Sequence, residues 1–289
     1  MLIVGSDFTN LVYHGLAFAR VAHHSSLWDP AYLRWARTTL PTDSHRWFDE
    51  DARAFEALYH RSPAAEALHG FPMGYADIES FLQSAGAPVE ALDTAHPFAR
   101  TLRQLPTPLV ELFRANLALS ATAYRDEFAR SLRTELATTV DRVQPHLDAA
   151  LSIDESLDDK SIELVFSLGP RGRGLGTRLV VGAPVPWTSI SPATPIVLAL
   201  HESAVGRASI RNAGYVRSEL TALIDLSIRI AGAPSALQEA HTDWVNRLAL
   251  DSLIDTAVAN GLLTRDAGTE LRKSKERSRL LRRLGRESR

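Results

Sequence analysis

The sequence contains no cysteine, and this absence excludes disulfide bonds, thiolate metal sites and cysteine nucleophiles. Lysine is scarce as well, because only Lys160, Lys273 and Lys275 occur and 29 of the 32 cations are arginine. No apolar run reaches the roughly 18 to 20 residues that a membrane-spanning helix needs. The opening stretch, "MLIVGSDFTN", has no basic residues ahead of its short apolar run, so a cytoplasmic protein is expected.

The composition is that of an ordinary globular protein. The chain has 289 residues, of which 45% are hydrophobic and 23% are charged, so one or two domains with a large core are expected. The abundance of arginine and alanine is typical of a GC-rich bacterial genome and is therefore no sign of phosphate binding. The net charge of −2 conceals an asymmetry, since residues 272–289 carry nine cations and two acids.

Helical patterns fill the first 155 residues. Apolar residues recur at helical spacing in "TNLVYHGLAFARVAHH", and "DPAYLRWARTTL" begins with Asp29 as a predicted N-cap and Pro30 at the first helical position. A longer helical pattern starts at Thr107 and continues for over 40 residues, and Pro145 is expected to kink it. This half is predicted to be a helical scaffold.

The pattern changes near residue 160. Residues 162–168 and 178–182 are rich in β-branched and aliphatic side chains, and the glycines between them supply a loop, so a β-hairpin or two sheet strands are predicted. Helical patterns resume at Pro195 and include "GYVRSELTALIDLSIRIAG" and "SALQEAHTDWVNRLALDSLIDTAVANG". The fold class predicted is mainly α (α+β), with a small antiparallel β element in the second half.

A His–Glu pair on an apolar helix is the principal candidate site. In "PIVLALHESAV", helical spacing places Leu198, His201, Glu202 and Val205 toward the same side. In the zinc motif HExxH, two histidines one turn apart bind the metal and the glutamate polarises the bound water. Val205 stands where the second histidine is required, and valine cannot donate a lone pair.

Over about residues 160–245 the sequence resembles the zincin metallopeptidases. In that family a small sheet precedes the active helix, the edge strand of the sheet can hold an extended peptide, and a following helix supplies a third ligand. The resemblance implies His201 and Glu219 as zinc ligands and Glu202 as the general base. It implies zinc as the cofactor and a peptide or protein as the partner.

A replacement for the missing ligand must come from elsewhere in the chain. His241, in "EAHTDWV", is the first choice, and His14, His23 and His24 are more distant alternatives to the ligand lost at Val205. The competing interpretation is a core histidine that is only hydrogen-bonded. For His23 and His24, a helix end at which they meet carbonyls and the dipole is the favoured explanation.

Two further motifs are weaker candidates for a site. "AEALH" has the ExxH spacing of di-iron helical bundles at Glu66 and His69, but no second ExxH follows, so chance surface placement is favoured. "LGPRGRGLGTR" could bind phosphate or a carboxylate through its backbone and its three arginines, Arg171, Arg173 and Arg178. It matches neither the P-loop nor the dinucleotide motif, so a flexible loop or lid beside the cleft is predicted.

These observations predict three regions: a helical region over 1–155, a zincin-like core over 156–271 and a basic helix or tail over 272–289. The function expected is that of a metallopeptidase relative, weakly active or inactive, with a peptide-binding cleft between the 162–183 strands and the 195–208 helix. In that case His201 and Glu202 line a concave site. The alternative is a non-enzymatic helical binding or assembly protein that acts through its surface or its basic tail, for which nucleic acid is a less favoured partner.

Overall fold

The structure is a computed structural model that describes residues 2–19, 27–44, 46–62, 65–70, 74–75, 77–83, 104–175, 177–183, 190–211, 215–259 and 264. Helices make up most of these residues and surround a small sheet, which confirms the expected mainly α fold with a β element. The helices are α1 (Asp7–Phe18), α2 (Pro30–Thr39), α3 (Arg46–Arg61), α4 (Ile78–Gln83), α5 (Thr107–Ser131), α6 (Arg133–Val143), α7 (Leu147–Ile153), α8 (Thr194–Arg211), α9 (Tyr215–Ile230) and α10 (Ser235–Ala259).

Helix ends follow the local sequence signals. The Asp29 carboxylate accepts hydrogen bonds from the backbone N–H groups of Ala31 and Tyr32, so it caps α2 as predicted. Pro145 lies in a 3-10 turn after α6, where its missing N–H ends the regular helix. The long helical pattern also breaks at Leu132, which has a φ of −125° and separates α5 from α6. Nothing in the apolar spacing signalled that second break.

The sheet has four strands in the order β1-β2-β4-β3: β1 (Leu2–Val4), β2 (Ser161–Val165), β3 (Gly172–Leu175) and β4 (Arg178–Gly182). β1 runs parallel to β2 and β2 runs parallel to β4, whereas β3 is antiparallel to β4. The expected antiparallel element is therefore the β3–β4 hairpin. The two strands predicted from the sequence are parallel neighbours, because the glycine-rich segment between them forms a strand of its own and reverses the chain first.

Different helices cover the two faces of the sheet. Thr9 of α1 donates a hydrogen bond to Glu163 of β2, so Glu163 faces α1. Val180 of β4 lies opposite Glu163 on one side and opposite Arg173 on the other, so these three strand residues share the α1 face. Side chains alternate along a strand, so Gly172 faces the other way. A Cβ added there would meet a side chain of α8. The His–Glu helix therefore packs beneath β3 and β4 on the face opposite α1.

A large hydrophobic core joins the N-terminal helices, the sheet and α8–α10. Its largest fully buried side chains include Tyr13, Tyr32, Tyr59, Tyr124 and Phe113. The boundaries proposed near residues 155 and 271 stay predictions. Over the described part of the chain, none of the helices combines the length and the apolar character that a bilayer crossing requires.

Candidate functional site

Helix α8 enters the core along its first half. Residues 195–200, "PIVLAL", are buried on every side, which is typical of a helix that other elements surround. His201 follows with 7% of its surface exposed, and the Glu202 side chain is 11% exposed. Neither side chain therefore faces bulk solvent.

Glu202 lies against the edge strand of the sheet. Its Oε2 accepts a hydrogen bond of 3.1 Å from the backbone N–H of Gly174 in β3. A Cβ placed on Gly172 would come within 2.6 Å of the Glu202 Cγ, and one on Gly174 within 3.4 Å of the Glu202 backbone oxygen. The glycines of β3 thus let the helix approach closely enough for this contact, a role that the sequence alone did not reveal.

His201 and His241 both lie beside one indole. The His201 ring is 4.8 Å from the Trp244 ring in an edge-to-face arrangement, and the His241 ring is 6.0 Å from it. Trp244 is itself fixed, since its Nε1–H donates to the Pro170 carbonyl at 3.0 Å. We call His201, His241 and Trp244 the histidine–tryptophan cluster.

The imidazole of His241 is held toward its neutral form. Burial, and secondly the charge that His201 carries when protonated, lower the pKa of His241 below its ordinary value. The His241 Nε2 lies 3.4 Å from the Ser227 hydroxyl, a long contact. The His201 Nδ1 is 3.6 Å from a Glu202 carboxylate oxygen, which is beyond hydrogen-bonding distance. The neutral form of an imidazole is the one that binds metal ions.

The ligand set of a zinc site is incomplete among the described side chains. Val205 is buried and packs with Ala204 and Ala222, so an apolar contact between α8 and α9 occupies the position of the missing histidine. Glu219 lies on α9, but its side chain is outside the described part of the structure. Among the described residues, no group of three or more histidines or carboxylates could hold a metal ion. Two imidazoles are too few for a typical zinc site.

The other sequence candidates are distributed through the chain. His14 is buried, with ring nitrogens 3.0 Å from the Tyr32 hydroxyl and 3.2 Å from the Ser44 carbonyl, as in the core-histidine alternative. His69 is buried beside Trp28 and Tyr59. The side chain of Glu66, both His23 and His24, and the basic tail over 272–289 lie outside the described residues.

The glycine-rich segment is not wholly the flexible loop or lid predicted for it, because its central residues form β3. Arg178 makes an ion pair with the buried Glu163 on the α1 face, so this cation neutralises an internal carboxylate. The Nη1 of Arg173 donates to the Gly172 carbonyl at 3.1 Å. Arg173 and Arg178 are thus strand residues, and both contact groups of the sheet itself.

A second polar cluster on α8 was missed from the sequence. Arg207 contacts Asp154 at 2.5 Å and the Ser203 hydroxyl at 3.0 Å, and Lys160 donates to the same hydroxyl at 3.0 Å. Ser156 completes what we call the serine–arginine cluster, 3.2 Å from Ser203. Burial raises the pKa of Asp154, but hydrogen bonds from Ser156 and Arg207 outweigh it and leave the pKa lowered. The i, i+4 spacing of Ser203 and Arg207 was the available signal, but their partners come from a distant turn.

Comparison with protein-family models, with curated proteins and with solved structures found no match for this chain.

Proposed function

We propose that this protein is a relative of the zincin metallopeptidases, weakly active or inactive, which holds an extended peptide in a cleft beside the His–Glu helix. One observation carries the proposal: Glu202 of α8 touches the backbone of β3, the antiparallel edge strand of a mixed sheet. The helix bearing His201 therefore lies next to the sheet edge that β3 forms. A cytoplasmic, bacterial setting belongs to the same proposal.

An edge strand is the element that suits peptide binding. Within the described part of the chain no strand pairs with its outer N–H and C=O groups, and an extended peptide can pair with them by main-chain hydrogen bonds. β3 is short, and two of its four residues, Gly172 and Gly174, carry no side chain. The partner expected is a peptide or an extended segment of another protein.

The proposal assigns His201, His241 and Glu219 as zinc ligands and Glu202 as the general base. A bound zinc ion would lower the pKa of its water and so generate a nucleophile near neutral pH. Among the described side chains, His201 and His241 could each donate a nitrogen to zinc, whereas Val205 has no donor atom. The donor set therefore fits zinc only in part. This partial fit is the reason that little or no peptidase activity is expected.

Equilibrium dialysis against zinc tests the assignment. Val205→His restores the motif and should raise zinc affinity above that of the natural chain, whereas the double variant Val205→His, His201→Ala should bind as weakly as His201→Ala alone. The larger side chain displaces the contact with Ala222, so a stability loss of about 1 to 3 kcal/mol is expected. Equal, negligible zinc binding by all variants would remove the zincin assignment.

A non-enzymatic binding or assembly protein is the second candidate, and a feature of α9 favours it. Ile224 and Ile228 are 53% and 71% exposed, and their i, i+4 spacing places them on one face. Such adjacent apolar side chains are typical of a docking surface. Replacing both by serine should abolish any self-association seen by sedimentation velocity without loss of helix signal.

The basic tail offers a further surface within that second candidate. If residues 272–289 bind nucleic acid, affinity should fall steeply with salt, because each neutralised phosphate releases counterions. We favour a peptide or protein partner over nucleic acid. A chain ending at residue 271 that binds a duplex as tightly as the full chain, with the same salt dependence, would remove this role from the tail.

A further inference from the structure

The orientation of the β3 backbone shows which groups lie at the free edge. The Arg171 carbonyl accepts a hydrogen bond of 2.9 Å from the Gly182 N–H, so the carbonyl at position 171 points toward β4. Backbone groups alternate in direction along an antiparallel strand, so those of Gly172 and Gly174 point away from β4. Gly174 is exposed, consistent with an open edge.

Side chains of opposite charge occupy two of these outward groups. The Gly174 N–H donates to the Glu202 carboxylate at 3.1 Å, and the Gly172 carbonyl accepts from the Arg173 guanidinium at 3.1 Å. Glu202 also fills the space above Gly172, where its Cγ stands within 2.6 Å of the position of an added Cβ. The hydrogen-bonding positions that a new strand would use on either side of residue 173 are therefore taken.

From this geometry we propose that Glu202, assisted by Arg173, is a latch that closes the free edge of β3, and that an extended peptide pairs with β3 only after the latch opens. An unprotected edge strand invites pairing with other chains, and charged side chains are a known means of preventing it. A bound peptide would present a carbonyl to the Gly174 N–H and an N–H to the Gly172 carbonyl. The part of this inference that concerns peptides rests on the proposed function.

Amide hydrogen exchange of Gly174 tests the latch without any ligand. Glu202→Met keeps the aliphatic stem above Gly172 but removes the acceptor, so the Gly174 amide should exchange about tenfold faster than in the natural chain. Glu202→Gln keeps an acceptor oxygen and is the matched control, with an exchange rate expected to stay within about threefold of the natural rate. An unchanged Gly174 rate in folded Glu202→Met would overturn the proposal.

A second variant approaches the same contact from the strand. Gly172→Ala introduces a Cβ that collides with the Glu202 Cγ, so the carboxylate must move away from Gly174. Faster Gly174 exchange is again expected, and Gly206→Ala on α8, where an added Cβ meets nothing within 4 Å, is the control. If Glu202→Met does not fold, Gly172→Ala decides the matter, and a natural exchange rate in that variant would contradict the latch.

Peptide binding separates the latch from the proposed function. The probe is a fluorescein-labelled, uncharged hexapeptide of alternating threonine and valine, with both ends blocked, and binding is followed by fluorescence anisotropy. Glu202→Met should bind it about fivefold more tightly than the natural chain, the factor expected from one competing hydrogen bond. Equal affinity for both, with faster Gly174 exchange, would overturn the gating of peptides. Faster exchange without binding by any variant would count against the peptide-binding function and leave the latch as edge protection.

Discussion

Two polar clusters lie on nearly opposite sides of helix α8 and differ in how fully their side chains are paired. Residues 201 and 203 are about 200° apart around a helix, so the histidine–tryptophan cluster and the serine–arginine cluster face different neighbours. In the second cluster, Ser203 is contacted by Lys160, Ser156 and Arg207 at 3.0 to 3.2 Å. In the first, the nearest described polar contacts of the two imidazoles are 3.4 and 3.6 Å long.

The difference separates a structural role from a binding role. Buried polar groups with short hydrogen bonds have already regained what they lost by leaving water, so the serine–arginine cluster fastens the Glu155–Leu157 turn to α8. The imidazoles of His201 and His241 have regained less and keep donor and acceptor capacity for a ligand. The same helix thus carries a fastening on one side and a candidate site on the other.

Removing the indole of Trp244 should give the largest loss of stability if the indole supports the candidate site. Trp244 is 2% exposed, and Trp244→Ala should lower the free energy of unfolding by about 4 kcal/mol through the cavity that it creates. Trp244→Phe retains an aromatic ring beside the histidines but loses the hydrogen bond to the Pro170 carbonyl, so a loss of about 1 kcal/mol is expected. Urea denaturation measures both changes. A similar small loss in both variants would show that the ring does not hold the cluster together.

The serine–arginine cluster should show a smaller loss on Arg207→Met. Asp154 has a side-chain exposure of 7% and would keep its charge without the guanidinium, while Arg207 is 31% exposed, so about 2 kcal/mol is expected. Arg229→Met is the matched control, because the Arg229–Asp225 pair is 44% and 42% exposed and should contribute under about 0.5 kcal/mol. Equal losses in the two variants, measured by urea denaturation, would mean that the cluster is no stronger than a surface ion pair.

The sequence predicted local features well, because capping and helical periodicity depend on nearby residues. Asp29 as an N-cap, the kink at Pro145 and the β-rich segments after residue 160 are confirmed. It failed where pairing depends on distant residues. Leu2–Val4 is too short to stand out as a strand, and it pairs with β2 across more than 150 residues of chain.

The candidate site was predicted in part for the same reason. The pattern around His201 predicted a buried helix, and His241 was named as a ligand that could complete the site from a distance. Both rings contact Trp244. The contact between Glu202 and Gly174 was not predicted, because it depends on the strand "GRGL". The glycines of this strand lack the β-branched side chains by which strands are recognised. The zincin resemblance and the metal ligands stay predictions.

Acid should weaken the histidine–tryptophan cluster. The pKa of His241 is lowered in the folded protein, so below the unfolded value of about 6.5 the unfolded chain binds more protons. Folding stability should therefore fall as the pH drops from 7, by no more than about 1.4 kcal/mol per pH unit for one proton. His241→Gln should flatten this decline, and Thr242→Gln, an exposed neighbour on α10, should not. Parallel profiles for natural chain and His241→Gln would contradict the assignment.

Substitution of Ser227 should have the smallest effect on stability, and it tests how firmly a residue outside the cluster holds His241. Its hydroxyl donates to the Leu223 carbonyl at 2.7 Å and lies 3.4 Å from the His241 Nε2, so it is already satisfied within its own helix. Ser227→Ala should then cost under about 0.5 kcal/mol. Ser152→Ala is the matched control, because Ser152 is an exposed helical serine that donates to the Ala149 carbonyl and has no hydrogen bond to a histidine among the described residues. Equal small losses in the two variants would mean that the Ser227 contact adds nothing and that Nε2 keeps its capacity for a ligand. A loss for Ser227→Ala greater by about 1 kcal/mol would show instead that His241 is fastened like the serine–arginine cluster, and the contrast between the two sides of α8 would be lost.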